Sequence, residues 1–154
     1  MDISSKAGAE KPPAISTVKG TIMTPSFQAS IQLKVRDYEC DMQGIVNNAV
    51  YQNYLEHARH EYLFERGFDF AEITRSGVHL VVIRAEIDYK KPLKSGDQFK
   101  VISCLERVSR LKFMFRQKIV SLDGTQIYIG ACVFCTSLND KGRPVSFAAI
   151  EALF

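Results

Sequence analysis

One helical stripe, set between segments of strand periodicity, constrains this chain more than any other feature. Tyr51, Tyr54, Leu55, Ala58 and Tyr62 recur at spacings of three and four, the apolar face of an amphipathic helix. The pattern predicts a helix over 48–66, with Asn47 as its N-cap and Gly67 just past its C-terminus. At roughly 1.5 Å per residue that helix is about 28 Å long. A short second helix is expected over 69–75, closed by Gly77. The other periodic stretches have period two. Phe27, Ala29, Ile31, Leu33 and Val35 alternate with polar residues before the helix. After it, alternation returns at Val81–Tyr89, Phe99–Leu105, Leu111–Ile119 and Ile127–Cys135, with turn signals at Pro92 and Gly96, Asp123-Gly124 and Asn139–Gly142. A lone helix and a half-apolar sheet bury their faces only against each other. Short connections favour antiparallel neighbours. The expected class is α+β, one curved antiparallel sheet over one long helix.

The first 26 residues stand apart. They hold three of the five prolines and neither Phe nor Tyr, so they are expected to form a flexible N-terminal tail, with residues 27–154 as a single domain. At 46% hydrophobic and 24% charged, the chain of 154 residues has a globular composition. A net charge of +3 does not demand nucleic acid, and it suits a small anionic ligand. No apolar run is long enough for a membrane helix, so no membrane partner is expected. Four scattered cysteines read as reduced thiols and place the chain in the cytoplasm. The alternative is a plastid stroma, although Asp2, Glu10 and the lack of Arg before Arg36 are unlike a transit peptide.

Chemistry is best placed at Asp41-Met42-Gln43-Gly44-Ile45-Val46-Asn47-Asn48, where a carboxylate precedes a helix start. Free backbone N–H groups at a helix N-terminus hold anions or developing oxyanions. A carbonyl oxygen on the Asn48 N–H, with Asp41 facing the carbonyl carbon, would supply what acyl transfer needs. Asp41 could equally do no more than cap the helix or brace the loop.

The run Val35–Tyr51, continued by Tyr54, Glu56, Ala58 and Arg59, resembles hotdog-fold thioesterases of the 4-hydroxybenzoyl-CoA thioesterase type, whose loop reads D-x-x-G-x-V and whose helix carries Y-x-x-Y-x-E-x-A-R. Val-Arg-Asp-Tyr-Glu, Val-Asn-Asn-Ala-Val-Tyr and Arg59-His60-Glu61 are also similar to plant acyl-acyl-carrier-protein thioesterases. The resemblance covers about Ile31 to Pro144 and includes Tyr89–Asp97. It implies the hotdog fold, homodimers or homotetramers with sites at subunit interfaces, and hydrolysis of acyl-CoA or acyl-carrier-protein thioesters. It maps the catalytic carboxylate onto Asp41, the oxyanion donor onto the Asn48 backbone, and substrate contacts onto Gly44, Val46 and Tyr51. No cofactor is implied beyond the coenzyme A or phosphopantetheine of the substrate itself. Two departures stand out: Asn48 replaces a frequent His, and Ile45 replaces the His of the Asn-Asn branch.

Glu56 is the rival acid, although three residues before Arg59 it fits an ion pair. His57, His60 and Glu61 lack the spacing of a zinc helix, and Cys132 and Cys135 fall on opposite strand faces, so no metal is expected. Arg110, in a basic turn, and Lys90 are the candidate phosphate contacts. Dinucleotide, P-loop and nucleophile-elbow signatures do not occur. A hydratase or dehydratase would want a His that Asn47-Asn48 do not offer, and a non-catalytic acyl-CoA-binding module would need no acid. Attack by Asp41 and activation of water by Asp41 both stay open.

Overall fold

The computed structural model describes residues 26–154, with side chains from Gln28 onward. Residues 1–25, nearly all of the expected tail, lie outside the described residues, and Ser26 opens the first strand. The elements are β1 (Ser26–Lys34), α1 (Asn48–Phe64), α2 (Phe70–Arg75), β2 (Val78–Tyr89), β3 (Gln98–Ser109), β4 (Lys112–Ser121), β5 (Ile127–Asn139), β6 (Pro144–Val145) and α3 (Ala148–Glu151). The helix ends fall where local chemistry puts them. Asn47 accepts the Ala49 N–H through its side chain at 2.9 Å, and Gly67 adopts φ +80° beyond the C-terminus of α1. Asp69 caps α2 by accepting from Ala71 and Glu72.

The strands form one antiparallel sheet in the order β1-β3-β4-β5-β2, with β6 added to β5. This corrects one expectation. β2 and β3 are joined by a short segment, yet they are not neighbours: β2 pairs with β5 and β3 with β1. The reason is Leu93, which is wholly buried and inserts into the core beside the start of α1, so its segment crosses the end of the sheet. Burying such a side chain contributes about 1.5–3 kcal/mol. The short β6 and α3 were not anticipated either, being too brief for periodicity to show.

Alternation sets the packing. Phe99, Val101 and Leu105 of β3 and Phe113, Phe115 and Ile119 of β4 turn inward against Tyr54, Leu55, Ala58 and Tyr62 of α1. Bulges at Ile83 of β2 and Tyr128 of β5 add the local bend that a wrapped sheet needs. Cys132 and Cys135 point to opposite faces of β5, as their spacing required, and all four cysteines are free thiols.

Candidate active site

The segment between β1 and α1 is a closed loop held at both ends. After a 3-10 turn over Asp37–Glu39, Cys40 and Val46 form a bridge, and the five residues between them fold into a tight turn. Asp41 N–H donates to Ile45 O at 2.8 Å, Gly44 N–H to Asp41 O at 3.0 Å, and Gln43 N–H to Asp41 Oδ1 at 2.8 Å. Gly44 sits at φ +75°, where a side chain would be strained. Asp41 is exposed, and nothing else among the described residues pairs with its carboxylate.

Two buried tyrosines tie this loop to the helix and sheet. Tyr54 donates to Glu39 Oε2 at 2.6 Å, while Glu39 also accepts the Arg36 N–H through its side chain and the Asn47 N–H through its carbonyl. The Tyr51 hydroxyl accepts the Leu93 N–H at 2.9 Å, and Leu93 O accepts from Val46 at 2.9 Å. Burial pushes both phenols above their ordinary range, and for Tyr54 the Glu39 carboxylate adds to it. Glu39 was missed as a site residue, because nothing local marks one carboxylate of an acidic run as the brace.

This bracing leaves one donor open at the helix start. Asn47 N–H goes to Glu39 O, Ala49 N–H to Asn47 Oδ1 and Val50 N–H to Asn47 O. Among the described residues only the Asn48 N–H of these four has no acceptor. It stands at the positive end of α1, a few residues from Asp41 across the turn. The Tyr89 hydroxyl donates to Asn48 O at 3.4 Å, and its ring packs on Tyr51 with centroids 5.8 Å apart, so the end of β2 borders the same place. A free donor at a dipole end, on the loop that also carries an exposed carboxylate, is a combination that acyl transfer can use.

The other expected residues fall as follows. Gly44 is exposed on the turn, whereas Val46 and Tyr51 are buried and hold the loop in place. Lys90 follows Tyr89 directly and lies at the Asp41 end of the sheet. Arg110 is at the hairpin between β3 and β4, the opposite end, roughly 36 Å away along β3 at about 3.3 Å per residue. Its neighbour Arg107 is occupied by Glu151 and the Phe154 ring.

Glu56 lies two turns into α1, about 12 Å along the axis from Asn48. It lines a groove of about 200 Å³ between α1 and β2, with Gln52, Leu55 and Arg59 on one side and Val82 and Ile87 on the other. The expected ion pair with Arg59 does not form. Arg59 turns inward and donates to Gln117 Oε1 at 3.0 Å, and the Gln117 amide donates to Leu55 O and Ser103 Oγ. Burial lowers the Arg59 guanidinium below its ordinary range, against the opposing pull of Cys135 and Glu56. The signal for this network was present: Gln117 and Ser103 occupy positions in otherwise apolar inward rows. Among the described residues no three His, Cys, Asp or Glu side chains converge as metal ligands, and no helix is long and apolar enough to cross a membrane.

A curved antiparallel sheet wrapped on one long helix is the hotdog fold, and the relatives this chain matches make it a thioester hydrolase of that fold. Residues 35–151 match the thioesterase-like superfamily, and the chain belongs to that family. It is 38% identical over 135 residues to the chloroplastic acyl-acyl carrier protein thioesterase ATL3 of Arabidopsis thaliana, covering 88% of this chain and 70% of that one. It is 30% identical over 110 residues to the long-chain acyl-CoA thioesterase FadM of Escherichia coli, covering 71% and 83%. The fold is shared with a 1,4-dihydroxy-2-naphthoyl-CoA thioesterase from Synechocystis at TM-score 0.77 and 16% identity, over 82% of this chain and 95% of that one.

Proposed function

We propose that this hydrolase cleaves acyl-CoA or acyl-carrier-protein thioesters at the Asp41–Asn48 loop, releasing the free acid and the thiol of coenzyme A or phosphopantetheine. The observation that carries this reading is the unpaired Asn48 N–H at the start of α1. The thioester oxygen rests on that N–H, and negative charge growing on it is stabilised by the donor and the helix dipole. Asp41 then either attacks the carbonyl carbon, forming a mixed anhydride that water opens, or takes a proton from the attacking water. Lys90, at the same end of the sheet, is the same-chain candidate for the leaving group's phosphates. Arg110 could reach such phosphates only as the contribution of another subunit.

The working unit in this reading is a homodimer formed through β2. That strand is a sheet edge, and Val82 and Ile83 expose nearly half of their surface on it. An open apolar edge calls for a cover. Arg84 and Glu86 flank Ala85, so two copies of β2 paired antiparallel about Ala85 would set Arg84 of each against Glu86 of the other. Such pairing would also roof the groove that holds Glu56. The reducing chemistry of four free thiols fits a cytoplasmic or stromal compartment. The test is hydrolysis of aromatic, short-chain and long-chain acyl-CoAs and of acyl-carrier protein, followed with a thiol-reactive dye, for wild type and Asp41→Asn. Turnover that survives in Asp41→Asn would overturn the assignment.

A further inference from the structure

The outer face of the sheet, turned away from α1, carries its charges in two unlike halves. Because Phe99, Val101, Ser103 and Leu105 face inward, Lys100, Ile102, Cys104 and Glu106 face outward, and the strand register lays out the rows beside them. In the half far from Asp41 both arginines are paired, and Lys112, at the very end of β4, is the one cation there without an ion pair among the described residues. Arg116 is held by Glu106 through contacts of 2.7 and 3.1 Å, and Arg84 pairs with Glu86.

In the half at the Asp41 end the cations are lysines. Lys34 of β1 stands opposite Gln98, Lys100 of β3 lies between Gln32 and Val120, and Lys118 of β4 lies between Ile102 and Gly130. Lys90 reaches over β5 at that same glycine: its Cε is 3.7 Å from where a Gly130 Cβ would be. None of these four lysines forms an ion pair with a described residue. Asp88, opposite Gly130, is the one carboxylate in their rows. At the adjoining turns Asp97 accepts the Lys94 N–H, and Asp123 accepts from Ser121 and Thr125.

Unpaired like charges on neighbouring strands repel, and an anionic surface laid across them removes that cost. The four lysines stand on or over β1, β3, β4 and β5, three strand spacings or about 14 Å. That width exceeds a pyrophosphate and matches two to three turns of an acidic helix. Ammonium groups are point charges suited to scattered carboxylates, and no unpaired arginine stands among them to add a bidentate fork.

We propose that this lysine face docks an acidic acyl-carrier protein, which then delivers its phosphopantetheine arm around the sheet edge to the Asp41 loop. The inference rests on the thioesterase reading given above. Its test is the double variant Lys100→Glu/Lys118→Glu, with Lys100→Gln/Lys118→Gln as the milder form, assayed with one acyl group on carrier protein and on coenzyme A. The KM for the carrier substrate should rise about tenfold in the Glu variant and less in the Gln variant, with kcat unchanged and the coenzyme A thioester within about twofold. Raising salt from about 50 to about 300 mM should weaken wild type toward the carrier substrate alone. Equal losses on both substrates, or an unmoved carrier KM, would overturn the proposal. Anisotropy of fluorophore-labelled holo carrier protein carrying no acyl group reads docking without turnover. An enzyme inert toward both thioesters would thus refute the hydrolase reading, while absent docking refutes this one. Binding of a labelled single-stranded DNA with no binding of carrier protein would also overturn it.

Discussion

Arg59 donates to Gln117 Oε1 at 3.0 Å and leaves Glu56, three residues earlier on the same helix, without an ion pair among the described residues. The choice has two consequences. It fixes α1 on the sheet through a polar contact inside the core, and it leaves a carboxylate directed at the groove along β2. Glu56 is therefore the proper control for any catalytic assignment to Asp41.

Asp41→Asn should keep the fold, because the amide oxygen can still accept the Gln43 N–H, while kcat falls by about 10²–10⁴-fold, the range for a positioned acid–base group. Glu56→Gln should cost far less. Steady-state kinetics on one thioester decides between them, and a larger loss at Glu56 would move the acid to the helix.

Gln117 is 1% exposed and serves three partners. Gln117→Leu should strand the Arg59 guanidinium and the Ser103 hydroxyl, for a loss of about 1–3 kcal/mol. Urea denaturation measures it, and a Gln117→Leu protein as stable as wild type would show that Arg59 finds water or Glu56 instead.

Alkali should destabilise the protein through Tyr51 and Tyr54. Both are raised above their ordinary value of 10.0 when folded, so the unfolded chain releases those protons first. Their contribution is whole below pH 10 and drains away as pH climbs from there toward the folded values. Denaturation midpoints should hold up to about pH 9 and fall as pH rises from about 10 to about 12. Tyr54→Phe should flatten that slope while losing the Glu39 bond at every pH.

Asn47→Ala should remove the cap on Ala49, at a cost of about 0.5–2 kcal/mol. Because the same residue keeps the Asn48 N–H in place, kcat should fall more than KM changes. Asn47→Ser should restore both, which a purely global loss of stability would not produce.

Ile83→Glu should break the proposed β2 pairing. Sedimentation should then show a monomer, and turnover should drop with the loss of the roofed groove. A dimer that persists in Ile83→Glu would place the interface elsewhere.

What the sequence by itself determined is what neighbours along the chain can decide. The Asn47 cap, the Gly67 and Gly77 stops, the inward alternation of β1 and the turn that presents Asp41 all follow from side-chain and backbone contacts spanning a few residues. Only the tertiary structure decided the rest. Short connection rules set β2 beside β3, but burial of Leu93 carries that segment across the sheet end and makes β2 an edge. Helix spacing pairs Glu56 with Arg59, but Gln117 on β4, 58 positions away in the chain, offers Arg59 a better partner in the core. Arg110 and Lys90 are similar cations in sequence, yet β3 holds them at opposite ends of the molecule. The lysine face exists only because β1, β3, β4 and the end of β2 converge. Such choices depend on which distant groups share a buried space or a surface, and that is set by the packing of the whole chain.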